Sequence, residues 1–215
     1  MIKKVIGFNG SPRKGWNTDL MVQKCLEGAK SSGAEVKLYQ IADLKNIKPC
    51  ISCLSCKRKD PKYQGVCVLK DGLSPILKEI KTADAIVLGS PNYLGYVSAA
   101  IHPVLERMVF SNLTYKKSGL SAFGRKIKTA IILTMNATEK QSEQFYTPFL
   151  ASLKNEMTAI FGDCEILSAY DTLQVEDYSK YELSFFDAEH KKKVHQEDFP
   201  KELQQAYELG KRLIS

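Results

Sequence analysis

Ala85-Ile86-Val87-Leu88-Gly89 contains no polar side chain. A strand with one wet face alternates apolar and polar residues. A run that is apolar throughout needs cover on both faces, as a strand inside a parallel sheet has. That requirement organises the rest of the chain. Lys3-Lys4-Val5-Ile6-Gly7-Phe8 is a second short run, ended by the turn residues Asn9-Gly10-Ser11-Pro12. Glu35–Gln40, Lys128–Thr134 and Glu165–Tyr170 read as further strands. Helical patterns separate them. One starts at Asn17-Thr18, read as an N-cap, and carries Leu20, Met21, Lys24, Cys25, Gly28 and Ala29 to a stop at Gly33. Others cover Ser98–Val109, Ser142–Ile160 and, in the tail, Pro200–Leu213.

Strands that alternate with helices imply right-handed crossovers and a parallel sheet between two helical layers. The expected fold is α/β: a flavodoxin-like, three-layer, doubly wound sheet of five parallel strands in the order 2-1-3-4-5, with helices on both faces. Its ligand crevice should lie at the carboxyl ends of the first and third strands. Residues 1–170 are expected to form this domain, with a cysteine-rich insert at 49–67. Residues 171–215 are read as a C-terminal helical extension that packs on the sheet or on a partner subunit.

Composition narrows the function classes. The chain has 215 residues, 44% of them hydrophobic and 26% charged, which excludes wholesale disorder, a collagen-like repeat and a secreted disulfide miniprotein. No run approaches the roughly 18 apolar residues of a membrane span. Val5–Phe8 is too short for a signal peptide core, so a cytoplasmic location is expected. The net charge of +7 comes from scattered short runs such as Lys57-Arg58-Lys59 and Lys191-Lys192-Lys193. None interleaves with aromatics as a nucleic-acid platform would, so neither nucleic acid nor membrane is an expected partner.

The loop Gly10–Thr18 fits neither a Walker A motif, since Gly15 is followed by Trp16 and Asn17, nor a three-glycine dinucleotide fingerprint. It does suit a single phosphate. Ser11, Asn17 and Thr18 bring short polar side chains, Arg13 brings a bidentate charge, and the helix start brings free N–H groups. The competing reading is a plain helix cap.

Phe8-Asn-Gly-Ser-Pro-Arg13 with Asn17-Thr18 resembles the FMN-phosphate loop of the NADPH-dependent FMN reductase family, within the flavodoxin-like superfamily. Gly89-Ser-Pro-Asn-Tyr-Leu-Gly-Tyr-Val-Ser98 is similar to that family's second flavin loop. The resemblance implies that Pro91, Asn92, Tyr93, Leu94 and Gly95 wrap one side of the flavin ring. It also implies that Thr134, Met135 and Asn136 form a third contact loop, although Met135 equally suits ordinary packing. No catalytic residue is assigned, because flavin hydride chemistry needs no protein nucleophile.

Four of six cysteines crowd into Cys50-x2-Cys53-x2-Cys56-x10-Cys67. The spacing admits an iron–sulfur cluster, zinc or reduced thiols. It resembles the compact motif of iron–sulfur flavoproteins, which implies a [4Fe–4S] cluster relaying electrons to FMN. The fourth cysteine of those proteins follows more closely than Cys67 does here. Cys25 and Cys164 read as buried hydrophobes.

The resemblance implies an enzyme: an FMN-dependent, quinone-reductase-like oxidoreductase. It would carry electrons from NAD(P)H, or through a cluster, by way of FMN to a small acceptor such as a quinone or a nitro or azo compound. A homodimer or homotetramer is expected with it. The alternatives are an electron-transfer module without small-molecule turnover, and a metal- or nucleic-acid-binding protein on a flavodoxin scaffold that has lost its flavin.

Overall fold

The computed structural model describes residues 2–215. Its main sheet contains five parallel strands: β1 (Lys4–Asn9), β2 (Glu35–Gln40), β3 (Ala85–Tyr93), β7 (Ile127–Thr134) and β8 (Gly162–Ala169). Their order is β2-β1-β3-β7-β8, the expected arrangement. The strand β4 (Tyr96–Val97) folds back antiparallel on β3, and β5 (Leu113–Lys116) with β6 (Gly119–Ser121) forms a separate hairpin.

Alternation along the central strands divides the core by side-chain size. On one face, Val5, Ala85, Val87, Ala130 and Ile132 meet α1 (Asn17–Ser31) and α7 (Phe199–Ile214). On the other, Ile6, Phe8, Ile86, Leu88, Ile131 and Leu133 meet α2 (Ser74–Ile80), α3 (His102–Asn112) and α5 (Thr147–Phe161). Every one of these strand residues is nearly fully buried, which accounts for apolar runs without a polar phase. Small residues on the first face let its helices come close. A Cβ on Gly28 would stand 1.9 Å from the Tyr207 carbonyl oxygen, and one on Gly210 would stand 1.8 Å from that of Cys25.

Proline sets several helix boundaries. Pro75, Pro103, Pro148 and Pro200 each sit in the first turn of a helix, where a missing N–H leaves no bond unmade. At Pro148 this corrects the expectation of one helix over Ser142–Ile160. The proline cannot sit inside a helix, so the segment divides into α4 (Glu139–Phe145) and α5. A second difference lies in β3, which continues through Pro91 to Tyr93 where a loop was expected after Gly89. α2 and α6 (Ala188–Glu197) had no sequence forecast.

The stretch between β2 and α2 is almost entirely irregular, with one 3-10 turn at Ile41–Asp43 and another at Ser55–Lys57. It is fastened to α3 by the fully buried Arg107, which pairs with Asp71 and donates to the Lys48 carbonyl at 3.1 Å. Burial pushes the Asp71 carboxyl up, but bonds from Arg107, the Lys48 amide and Ser74 outweigh it and hold it at about 2.

α7 carries a buried acid. Glu202 accepts the Tyr170 amide at 3.0 Å, its Oε2 has no partner, and burial pushes its carboxyl up to about 7. A proton is therefore bound more tightly in the folded chain than in the unfolded one. Stability is greatest below the ordinary value of 4.5 and declines as pH rises towards 7. Glu202→Gln is expected to melt like the wild type at pH 4 and above it at pH 8; equal melting temperatures at pH 8 would refute this. Gly210→Ala should destabilise the chain by about 1–3 kcal/mol through overpacking, seen as a lower denaturation midpoint.

Candidate functional site

β1 and β3 end side by side, and the chain leaves them in opposite directions. The Gly10 amide donates to the Gly89 carbonyl at 2.8 Å, which joins the two exits. After β1 the loop is braced by Asp19, a buried carboxylate in the first turn of α1. It accepts from Asn9 Nδ2 at 3.1 Å, Gln40 Nε2 at 2.7 Å and the Gly15 amide at 2.7 Å. Sequence reading missed this acid, whose only signal is its place at the helix start.

The expected cap does not form. Trp16 occupies the N-cap with no side-chain bond, so Asn17 and Thr18 are the first two helical residues. Their side chains turn outward from the helix start instead. Thr18 Oγ1 and Thr134 Oγ1 are 2.7 Å apart, and Asn17 Nδ2 donates to the Leu173 carbonyl at 2.8 Å. Arg13 stacks on Trp16, its guanidinium carbon 3.3 Å from the ring centre, and donates to the Gln174 carbonyl at 2.6 Å.

These residues surround one cleft of about 170 Å³. Ser11, Arg13, Asn17 and Thr18 line it from the first loop, Pro91, Asn92 and Tyr93 from β3, and Thr134, Met135 and Asn136 from the end of β7. Two forecast contacts lie elsewhere. Leu94 and Gly95, with φ of 54° and 84°, form the two-residue turn between β3 and β4 and do not line the cleft. Leu94 is completely exposed there, and Tyr93 and Tyr96 beside it are about half exposed. Trp16, Thr172, Leu173 and Gln174 also line the cleft and were not foreseen.

Three acceptors around the cleft are buried without a hydrogen-bond partner: Asn92 Oδ1, Asn136 Oδ1 and Gln174 Oε1. An unsatisfied buried acceptor is unfavourable by about 1–3 kcal/mol, so the cleft suits a ligand that donates hydrogen bonds. A larger groove of about 740 Å³ runs past Tyr96, His102, Leu105 and Phe110, but its walls are mainly apolar, and at the start of α3 beside it the His102 amide already bonds the Ser98 carbonyl and Pro103 has no N–H to offer.

Cys50, Cys53, Cys56 and Cys67 line a single narrow pocket of about 20 Å³ with Ile51, Leu54 and Arg107. Left-handed bends at Ser52 and Leu54 curl the loop around it. Arg107 Nε donates to Cys67 Sγ at 3.4 Å, and Arg107 Nη2 is buried without a partner. Bonds from the Ser55 amide and hydroxyl lower the pKa of the exposed Cys53 thiol. Burial raises that of Cys56, against the pull of Lys57. Among the described residues, no three His, Cys, Asp or Glu side chains are disposed to hold a metal ion. Cys25 is buried, and desolvation pushes its thiol up to about 12; Cys164 is likewise buried and raised.

No helix among the described residues is long and apolar enough to cross a membrane. Over its whole length the chain superimposes on an NAD(P)H:quinone oxidoreductase from Methanothermobacter marburgensis with a TM-score of 0.69 and 13% identity, covering 98% of that chain. An azoreductase from Bacillus anthracis gives 0.68 at 11% identity, with 98% of this chain and 100% of that one covered. At such identities the likeness is one of fold, here flavodoxin-like. An iron-sulfur flavoprotein of Methanocaldococcus jannaschii is 42% identical over 104 residues, 48% of this chain and 51% of the relative. One of Methanosarcina thermophila is 32% identical over 106 residues, 49% and 52% of the two. The chain thus spans about half the length of the curated relatives it matches. Residues 3–143, well over half of the sequence and inclusive of both β1 and β3 loops, match the family described as NADPH-dependent FMN reductase, and the chain belongs to that family.

Proposed function

We propose that the chain is an FMN-dependent oxidoreductase that moves electrons from NAD(P)H to a small acceptor such as a quinone or an azo or nitro compound. One observation carries this reading: three loops from separate strands meet at a single cleft beside the start of α1. Arg13, Ser11 and the free amides at that helix start would hold the phosphate. Only one guanidinium N–H of Arg13 is committed to Gln174, which leaves others for an anion. Pro91 and Tyr93 would flank the ring. The unpartnered Asn92 Oδ1 and Asn136 Oδ1 suit the donors of a flavin, so the residues present fit the group. The chemistry supplied by bound FMN is hydride acceptance from NAD(P)H and return of electrons to the acceptor.

The cleft is smaller than the roughly 300–1,000 Å³ of an enclosed small-molecule site. One chain therefore encloses only part of the mononucleotide, and the exposed Tyr93-Leu94 tip is where a second copy would complete it. A homodimer or homotetramer follows from this reading.

The cysteine pocket favours an iron–sulfur centre as the electron entry, the role suited to a chain that acts as an electron-transfer module. Cys50, Cys53, Cys56 and Cys67 share this pocket with an apolar wall and an unspent guanidinium donor, but its volume of about 20 Å³ and the spread of the thiols enclose no metal as they stand, so a cluster would have to draw the loop in around it. The support comes from this pocket together with the iron-sulfur flavoprotein relatives.

Steady-state oxidation of NAD(P)H with added quinone or azo acceptors tests the enzyme reading. Turnover supports it, while reduction only by a protein donor supports the electron-transfer module. Arg13→Ala is expected to weaken FMN binding by about 1–3 kcal/mol, and unchanged affinity would remove its phosphate role. Anaerobically prepared protein is expected to contain iron and sulfide and to absorb beyond the flavin bands, a signal abolished by Cys53→Ser. Wild-type protein without iron or that absorption overturns the cluster.

A further inference from the structure

A short stretch of the tail, outside the residues matched by the family, closes the fourth side of the cleft. Thr172 donates its amide and hydroxyl to the Met135 carbonyl at 3.0 and 3.1 Å. The next two carbonyls, of Leu173 and Gln174, accept from Asn17 and Arg13. Three consecutive residues thus tie the β7 loop to the β1 loop.

The strap is clamped from behind. Asp171 has a φ of 51°, and its amide donates to the Ala137 carbonyl at 2.9 Å. Its carboxylate pairs with the buried Lys191 of α6 and lies 2.6 Å from His190 Nε2. Lys191 Nζ also donates to the Asn136 carbonyl at 3.1 Å, so one ammonium holds both strap and loop. Ahead of the clamp, the Gln174 amide donates to the hydroxyl of the buried Tyr178 at 3.2 Å.

With its backbone fixed at both ends, Gln174 has little freedom to move away, yet its buried Oε1 has no partner. An ionised phosphate offers acceptors and cannot satisfy it. A hydroxyl can. The flavin mononucleotide carries hydroxyls on the sugar-alcohol chain between its ring and phosphate, and Gln174 bonds the residue, Arg13, read above as a phosphate contact.

We propose that Gln174, presented by the strap Asp171–Gln174 and its Lys191 clamp, is a binding residue that accepts a hydrogen bond from the polyol chain of the flavin. This rests on the flavin reading of the cleft.

The test is the affinity of Gln174→Met for three ligands, followed by quenching of flavin fluorescence: FMN, riboflavin, which lacks the phosphate, and lumiflavin, which lacks the whole polyol chain. FMN and riboflavin should weaken by the same factor, about tenfold, while lumiflavin is unchanged. Equal binding by variant and wild type overturns the proposal. So does an equal loss for all three ligands, which marks a merely structural role. If Gln174→Met does not fold, Gln174→Ala is read in the same way. A wild type that binds none of the three overturns the flavin reading itself, and the proposal with it.

Discussion

The carboxyl ends of β1 and β3 meet through one backbone bond, from the Gly10 amide to the Gly89 carbonyl, and the site depends on that meeting. Both positions exclude a side chain. A Cβ on Gly89 would stand 2.1 Å from Val22, and one on Gly10 would stand 2.6 Å from Ile101. With the two exits this close, α1 begins directly beside the Pro91 segment, and Ser98 ties the arrangement by donating to the Gly10 carbonyl at 2.7 Å. The positive end of a helix and a stiff apolar edge then share one crevice, which is what a molecule with an anionic tail and a flat ring requires.

The fold was largely legible because the central strands are buried on both faces and advertise it in their apolar runs. The meeting of the loops after β1 and β3 at one cleft was legible for a related reason: special residues such as Gly10, Arg13 and Pro91 mark both segments. What escaped has no side-chain signature. Leu173 and Gln174 meet the first loop through carbonyl oxygens, which every residue has, so nothing in Thr172-Leu173-Gln174 announces the contact. The turn at Leu94-Gly95 was not legible as a turn, because a glycine there suits a close approach and a hairpin equally. The division at Pro148 was readable, but the apolar periodicity on either side of it dominated.

The cysteine loop shows how an irregular segment is held without a sheet or helix of its own. It depends on a charge pair, Arg107 and Asp71, sealed beneath it. A sealed pair of this kind contributes little net stability over an apolar replacement, yet loss of either partner leaves a stranded charge. Its effect is positional: the same guanidinium that fastens Lys48 faces Cys67. Anchoring of the loop and the electrostatic setting of its thiols are therefore one structural element.

The crossing of α1 and α7 bears on how the chain acquires its structure. Their glycines mesh although the helices lie at opposite ends of the polypeptide, and Lys3 Nζ bonds the Ile214 carbonyl. During synthesis the apolar side of α1 is made first and must wait, uncovered, until α7 has left the ribosome. The contact between α1 and α7 is thus a long-range one, whose closure brings together segments far apart in the sequence.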